Sequence, residues 1–181
     1  MHGLIFTSFR DFLAAEHGDE TADFVFKGES PYLLSEVYDD ERLTALVEQA
    51  ASATNRDAGD VLEAFGVYAA LRTFAGLYPA WFATCGSARE FLLTIEPRIH
   101  ELVRATVRHA APPQLHVTVL GDAGVGIVYT SPRRLCRLLR GLAEGTARYY
   151  GERTSIEETA CMLRGADACR FAITLFPAPP S

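Results

Sequence analysis

Residues 112–130 read PPQLHVTVLGDAGVGIVYT, and this stretch decides the class of fold. Apolar Leu115, Val117 and Val119 alternate with polar residues, which is the period of a half-buried strand. The sequence GDAG at 121–124 supplies turn residues, and a second apolar run follows it directly. The stretch therefore predicts an antiparallel β-hairpin.

Helical periodicity surrounds this hairpin. On its N-terminal side, apolar residues recur at helical spacing in several segments. On its C-terminal side we predict a helix over 132–150 and a second hairpin formed by 155–163 and 169–175. The expected fold is α+β, with an N-terminal helical subdomain followed by a four-stranded antiparallel sheet with flanking helices. Only the proline-rich end, 177–181, is expected to be disordered.

Composition limits the possible functions. The 181 residues, 49% of them hydrophobic, suit a single domain spanning 1–181. A net charge of −6 argues against nucleic acid or an anionic membrane as partner. No apolar run approaches the roughly 20 residues of a membrane span, and the N-terminus lacks the pattern of a secretory signal. Four cysteines in an ordinary globular composition favour a reducing, cytoplasmic location.

Three polar residues, Tyr129, Ser131 and Arg133, lie where a predicted strand meets a predicted helix. Pro132 suits the first position of a helix and Ser131 its N-cap, which would place Arg133 in the first turn. A phenol, a hydroxyl and a guanidinium at a helix N-terminus can hold a pair of carboxylates. The alternative is a capped helix with a surface arginine and a half-buried tyrosine, and such caps are common.

His100 lies among Ile99, Val103 and Val107 on the apolar side of a predicted helix. A neutral imidazole there can bind a metal while its other N–H donates to a carbonyl or to water. The alternative is a histidine that serves packing only. Pro97 precedes His100 within the same segment and predicts a kink or a fresh helix start.

Several collinear stretches resemble the heme nitric oxide/oxygen-binding (H-NOX) family, which is related to the heme domain of soluble guanylate cyclase. They are MHGLI at 1–5, TF at 73–74, YP at 78–79, residues 91–103 around His100, APP at 111–113, Y-x-S-x-R at 129–133 and GL-x-EG at 141–145. The resemblance spans nearly the whole chain. It implies a distal helical subdomain of about 1–65, a proximal helix and sheet subdomain of about 66–176, and heme b between them.

The resemblance also implies roles for individual residues. His100 would be the proximal ligand of the heme iron, and Tyr129, Ser131 and Arg133 would hold the propionates. Pro113 would press on the porphyrin and help to distort it. Pro97 departs from the family, because many relatives have an acidic residue three positions before the ligand.

The residues of the distal side predict which gas is bound. Oxygen-binding relatives have a tyrosine seven residues after the motif serine, and this chain has Leu138 there. Ile5, Phe9 and Phe74 are expected to complete an apolar lining. Bound oxygen gains from a hydrogen-bond donor, whereas NO and CO depend on one far less. The sequence therefore predicts a ferrous heme that binds NO and CO and largely excludes oxygen.

The cysteines suggest a second site. A subset of the family carries a zinc-bound or redox-active cysteine cluster, and Cys136, Cys161 and Cys169 resemble it, with Glu158 as a fourth ligand. Strand alternation would place Glu158 on the opposite face from Cys161 unless a bulge intervenes. The alternative is that the cysteines are small buried residues without a metal.

We therefore expect a non-enzymatic NO sensor. Because the chain ends soon after its last predicted strand, its signalling partner is expected in trans, by family analogy a histidine kinase or a cyclic-di-GMP enzyme. Two alternatives stay open. One is a cysteine or zinc redox sensor with a mainly structural heme, and the other is a small-ligand regulator that keeps the fold without heme.

Overall fold

The structure is a computed structural model that describes residues 1–107 and 110–178. Its helical half begins with α1 (Gly3–His17), α2 (Asp19–Val25), α3 (Asp40–Thr54) and α4 (Ala58–Tyr68). The Asp57 side chain accepts a hydrogen bond from the backbone N–H of Gly59, which caps α4 and explains where that helix starts. Phe6, Phe9 and Phe65 are fully buried in the core that these helices share.

The path from α4 to the sheet contains two unusually wide helical turns. A π-helical segment (Ala69–Phe74) continues α4 and leads into α5 (Ala75–Leu77), α6 (Pro79–Ala83) and α7 (Ala88–Thr94). A second π-helical segment (Ile95–His100) follows, and α8 (Glu101–Thr106) continues it. Proline cannot donate the backbone hydrogen bond of a regular α-turn, so the interruption predicted at Pro97 takes the form of this wider turn.

The sheet has four strands in the order β1-β2-β4-β3. They are β1 (Gln114–Leu120), β2 (Gly124–Thr130), β3 (Glu152–Ala160) and β4 (Cys169–Pro177), and every neighbouring pair is antiparallel. Helix α9 (Cys136–Tyr149) packs on one face over the buried Ile127 and Ile173. The predicted α+β class and the four-stranded antiparallel sheet are confirmed.

Helices α4 and α9 cross at very short distance, and this crossing joins the helical half to the sheet. Gly66, Gly141 and Gly145 lie at the crossing, and a Cβ on any of them would lie within 3.0 Å of the facing helix. The predicted boundary between subdomains near residue 65 falls inside α4, which runs through it without a break. The division into subdomains stays a prediction.

The start of α9 differs from the expectation. The helix begins at Cys136 and not at Pro132, because Arg134 has a left-handed backbone (φ 52°) that interrupts the helical path. Ser131 is therefore not the N-cap, and Arg133 lies in a turn before the helix.

The C-terminal end also differs. Residue 177 belongs to β4, and the N–H of Ala178 donates to the carbonyl of Gly151, so the disorder predicted for 177–181 is wrong for 177–178. The rest of that predicted tail, 179–181, lies outside the described residues. Among the helices of the described chain, none is long and apolar enough to span a bilayer.

Candidate functional site

The turn between β2 and α9 holds the predicted propionate motif together. The Tyr129 hydroxyl accepts a hydrogen bond from the N–H of Leu135 at 3.0 Å, and the Ser131 hydroxyl accepts one from the N–H of Arg133 at 3.3 Å. Ser131 is only 2% exposed. Burial raises the pKa of Tyr129, so its phenol stays neutral and can donate its O–H. The turn therefore brings a phenol, a hydroxyl and a guanidinium into one short segment.

Arg133 is held at the boundary between the two halves of the molecule. Its Nη1 donates to the carbonyl of Ala111 at 2.5 Å, and its Nε lies 2.8 Å from Oδ1 of Asp40 on α3. The buried Nε–H nevertheless has no hydrogen-bond acceptor in line with it among the described residues. A guanidinium with an N–H that lacks an aligned acceptor can still bind a carboxylate ligand. Arg133 therefore fits the heme propionates that the resemblance implies.

Asp40 supplies the negative charge that Arg133 meets inside the protein. Burial alone would raise the pKa of Asp40, but the hydrogen bond from the Met1 amine and the positive charge of Arg133 outweigh it, and the pKa lies below its usual value. Its carboxylate is therefore ionised at neutral pH and lies against the Nε side of the Arg133 guanidinium. Asp40 is a residue of this region that the sequence interpretation missed.

His100 ends the second π-helical segment with its side chain 15% exposed. Its Nδ1 lies 2.8 Å from Oε2 of Glu96. Burial lowers the pKa of His100, although Glu96 opposes that effect, so the neutral imidazole is favoured. A neutral ring with one nitrogen held by a carboxylate leaves the other nitrogen as a metal ligand, which fits the role implied for His100.

The sheet brings His100 and Tyr129 to the same end of the molecule. Glu96, which faces His100, also accepts a hydrogen bond from the N–H of Leu115 at 3.2 Å. Leu115 pairs with Tyr129 across the β1–β2 ladder. Pro113 lies just before β1, and its carbonyl accepts a hydrogen bond from Arg104 of α8 at 3.3 Å. The first hairpin therefore links the predicted iron ligand to the predicted propionate residues.

The residues expected on the distal side share one apolar cluster. Phe9 is fully buried, Leu138 is 9% exposed, and Ile5 and Phe74 pack against the same core. Phe74 also packs in a second cluster that includes Ile99, the residue before His100. The structure thus places an apolar group of side chains next to the segment that carries His100.

The three predicted cysteines come together with Glu158. The Sγ atoms of Cys136 and Cys161 lie 3.7 Å apart, and those of Cys161 and Cys169 lie 4.0 Å apart. One ligand atom from each of these cysteines and from Glu158 lies within 4.8 Å of the others. The register of β3 against β4 shifts between Glu158 and Ala160, and this bulge allows Glu158 to reach the thiols.

The three cysteines of the cluster are buried. Burial, followed by the neighbouring cysteines, raises the pKa of Cys136 to about 12, so its thiol is protonated at neutral pH when no metal is bound. Cys85 lies in another part of the chain and is partly exposed. Three thiols and a carboxylate form a donor set that suits tetrahedral zinc.

The sequence matches the model of the Haem-NO-binding family over residues 2–158. No curated protein sequence matches the chain.

Several solved structures have the same fold. The chain is 25% identical to an H-NOX protein from S. oneidensis in the Fe(II)NO ligation state, with a TM-score of 0.89 over 97% of this chain and 99% of that one. It is 26% identical to the H-NOX domain from Shewanella oneidensis in the Fe(II)CO ligation state, with a TM-score of 0.87 over 97% and 98% of the two chains. Fe(II) unliganded H-NOX from K. algicida is 22% identical, with a TM-score of 0.86 over 100% of both chains, and this likeness concerns the fold alone.

Proposed function

Because the chain belongs to the Haem-NO-binding family, whose members are heme-based gas sensors, we propose that it binds NO and CO at ferrous heme and largely excludes oxygen. The observation that carries this proposal is the partly buried imidazole of His100, which Glu96 links to the same end of the hairpin as the Tyr129 and Arg133 motif. Heme b, when bound, supplies the iron to which the gas binds.

In this proposal each residue of the site has one task. His100 would hold the iron through Nε2, and Tyr129, Ser131 and Arg133 would donate hydrogen bonds to the propionates. Arg133 is suited to this because its Nε–H lacks an aligned acceptor. Pro113, in the segment that precedes β1, would press on the porphyrin.

The apolar cluster supports the choice of gas. Ile5, Phe9, Phe74 and Leu138 have no group that can donate a hydrogen bond, so they give bound oxygen no stabilisation. NO and CO need no donor and are retained. This selectivity rests on Leu138 in particular, since it occupies the position where oxygen-binding relatives have tyrosine.

The signal would pass from His100 to the surface by a shift between two arrangements of the chain. Loss of the contact between His100 and the iron on NO binding would leave the second π-helical segment free to move. Glu96 ties that segment to β1, and the tight crossing of α4 and α9 ties the sheet to the helical half. NO then favours the arrangement in which His100 is free.

The proposed role is that of a non-enzymatic sensor acting on a partner in trans, in the cytoplasm. The partner proposed is a histidine kinase or a cyclic-di-GMP enzyme, by analogy with the family. Four cysteines in an ordinary globular composition suit a reducing compartment.

The test is the absorption spectrum of the reduced protein in the absence and presence of NO, CO and air. We expect a heme spectrum that changes with NO and CO and does not change to a stable oxygen complex in air. His100→Gly should lose the iron ligand and regain a coordinated spectrum when free imidazole is added, while His116→Gly on the exposed side of β1 should behave as wild type. A folded protein without heme, or an unchanged spectrum in His100→Gly, would contradict the proposal.

A second candidate function is a cysteine or zinc redox sensor on the same fold, and the geometry of the cysteine cluster favours it. Cys136, Cys161, Cys169 and Glu158 place four donor atoms within reach of one ion. Zinc measured in protein purified without chelator should be close to one per chain and should be lost in Cys136→Ser. Cys85→Ser, which is remote from the cluster, should keep the metal. Oxidation that alters partner control in His100→Ala would make the cysteines the sensor, whereas zinc-free protein would exclude a zinc site.

A further inference from the structure

Glu96 has more polar partners than a solvated surface carboxylate needs. Its Oε2 lies 2.8 Å from Nδ1 of His100 and also accepts the N–H of Leu115 at 3.2 Å. Its Oε1 accepts a hydrogen bond from Nη2 of Arg104 at 2.6 Å. The Glu96 side chain is only 23% exposed. The carboxylate is therefore fixed in position by a strand, a helix and the imidazole itself.

We infer that Glu96 is a positioning residue for the iron ligand: it accepts the Nδ1–H of His100 and sets how strongly Nε2 donates to iron. The inference rests on the proposed function, because it assigns a task to Glu96 only when His100 binds heme iron. It gives a role to Glu96, which the sequence interpretation left without one.

The chemistry follows from the nature of the acceptor. A histidine ligand fixes its tautomer and ring orientation by donating its second N–H, and an anionic acceptor makes the ring a stronger base than a carbonyl or water does. The guanidinium of Arg104 lies 2.6 Å from Oε1 of Glu96, and the N–H of Leu115 donates to Oε2, and both contacts favour the charged carboxylate. The acceptor is therefore a carboxylate at neutral pH.

Arg104 moderates this effect. Its guanidinium hydrogen-bonds to Oε1 and draws charge away from the oxygen that faces His100. Removing Arg104 should leave a more basic carboxylate and a more strongly donating imidazole. Removing the charge of Glu96 should do the reverse. Two substitutions in one network are thus expected to shift the iron–histidine bond in opposite directions, which general loosening of the fold would not do.

The contact between Glu96 and His100 forms within the wide turn over Ile95–His100. Pro97 has no N–H and cannot complete a regular α-turn, so the segment takes the wider π-helical path. On this path Glu96 and His100 face each other four residues apart and both reach the start of β1. The turn, the carboxylate and the ligand form one unit that moves together when His100 is released.

The experiment compares ferrous, ligand-free holoprotein of the wild type, Glu96→Gln and Arg104→Met by resonance Raman spectroscopy. We expect the iron–histidine stretching frequency to fall in Glu96→Gln and to rise in Arg104→Met. The reduction potential should rise in the first and fall in the second. NO should displace His100 roughly 10-fold faster in Glu96→Gln, a size typical of losing a partner of a metal ligand. The matched control is Glu101→Gln, an exposed acid on α8 that should leave the frequency unchanged.

The outcomes separate this inference from the proposed function. The proposed function predicts an iron–histidine band in the wild type that is absent from His100→Gly. If the wild type shows no such band, the proposed function itself is wrong. If that band is present and neither substitution moves it, or both move it in the same direction, Glu96 does not set the bond strength. Should Glu96→Gln fail to fold or to bind heme, Arg104→Met decides alone, because an unchanged or lower frequency there overturns the inference.

Discussion

Gly141 of α9 packs against the backbone carbonyl of Glu63 on α4 so closely that a Cβ on Gly141 would lie 2.0 Å from that oxygen. The two helices must separate before any side chain fits between them. We expect Gly141→Ala to lower the free energy of unfolding by about 1–3 kcal/mol, the usual cost of overpacking a well-packed site. Urea unfolding followed by circular dichroism measures this loss.

The matched control is Gly76→Ala in α5, where a Cβ would meet nothing within 4 Å. Alanine is favoured over glycine in a helix by roughly 0.5–1 kcal/mol, so this variant should be unchanged or slightly more stable. If both glycine variants lost the same amount of stability, the close crossing of α4 and α9 would not be the cause.

The ion pair between Asp40 and Arg133 should make the stability of the protein depend on pH. The pKa of Asp40 is lower in the folded protein than its ordinary value. The pair therefore stabilises the fold fully when the pH is above that ordinary pKa. The contribution is lost as the pH falls through the lower, folded pKa. Because the Asp40 side chain is 40% exposed, solvent screens the pair, and we expect Asp40→Asn to cost roughly 0.5–1 kcal/mol at neutral pH.

Thermal unfolding between neutral and acidic pH tests this. The difference between wild type and Asp40→Asn should shrink as the pH falls and disappear once Asp40 is protonated. Asp39→Asn, at the neighbouring position, should show no comparable trend, since among the described contacts its side chain has no ion pair. A difference that stayed constant with pH would mean that Asp40 acts through packing and not through charge.

Leu138 tests the predicted gas selectivity. A tyrosine there would put a hydroxyl donor at position 138, where oxygen-binding relatives have one, and bound oxygen gains from a donor. We expect Leu138→Tyr to form an oxygen complex in air that the wild type does not form, while NO and CO still bind. Leu138→Phe adds the same ring without the hydroxyl and should not form that complex. Oxygen binding by the phenylalanine variant would show that space, and not hydrogen bonding, decides the selectivity.

The elements with regular hydrophobic periods could be predicted from the sequence, and the parts of the site set by tertiary contacts could not. The alternation at Leu115, Val117 and Val119 led to β1, although that face of the strand is buried at Leu115, partly buried at Val117 and exposed at Val119. The start of α9 was missed because the left-handed Arg134 has no marker of its own, such as glycine or asparagine. The hydroxyl of Tyr129 holds the N–H of Leu135, and that contact between distant parts of the turn is visible only in three dimensions.

For the residues of the site, too, local motifs could be predicted from the sequence and tertiary contacts could not. The motif Tyr129, Ser131 and Arg133 could be found from its spacing, but Asp40 belongs to a distant helix and nothing in its neighbourhood marked it. Glu96 stands four residues before His100, a spacing that signals a helical pair, yet Pro97 between them obscured that signal. The four-donor cysteine cluster needed a bulge at Glu158, which strand alternation alone does not predict.

Substitution of Glu158 tests whether the bulge in β3 places a metal ligand beside the cysteines. The Glu158 carboxylate lies with Cys136, Cys161 and Cys169, whereas Glu157 is on the exposed face of the same strand. We expect Glu158→Gln to keep three thiols but to bind zinc more weakly, by about 10-fold or more, because an amide is a poorer ligand than a carboxylate and tetrahedral zinc wants four ligands. Glu157→Gln removes the same charge from the neighbouring position and should bind zinc as the wild type does. Competition of each variant against a chromophoric chelator gives the affinities, and equal weakening in both variants would show that net charge, and not ligation by Glu158, controls the affinity.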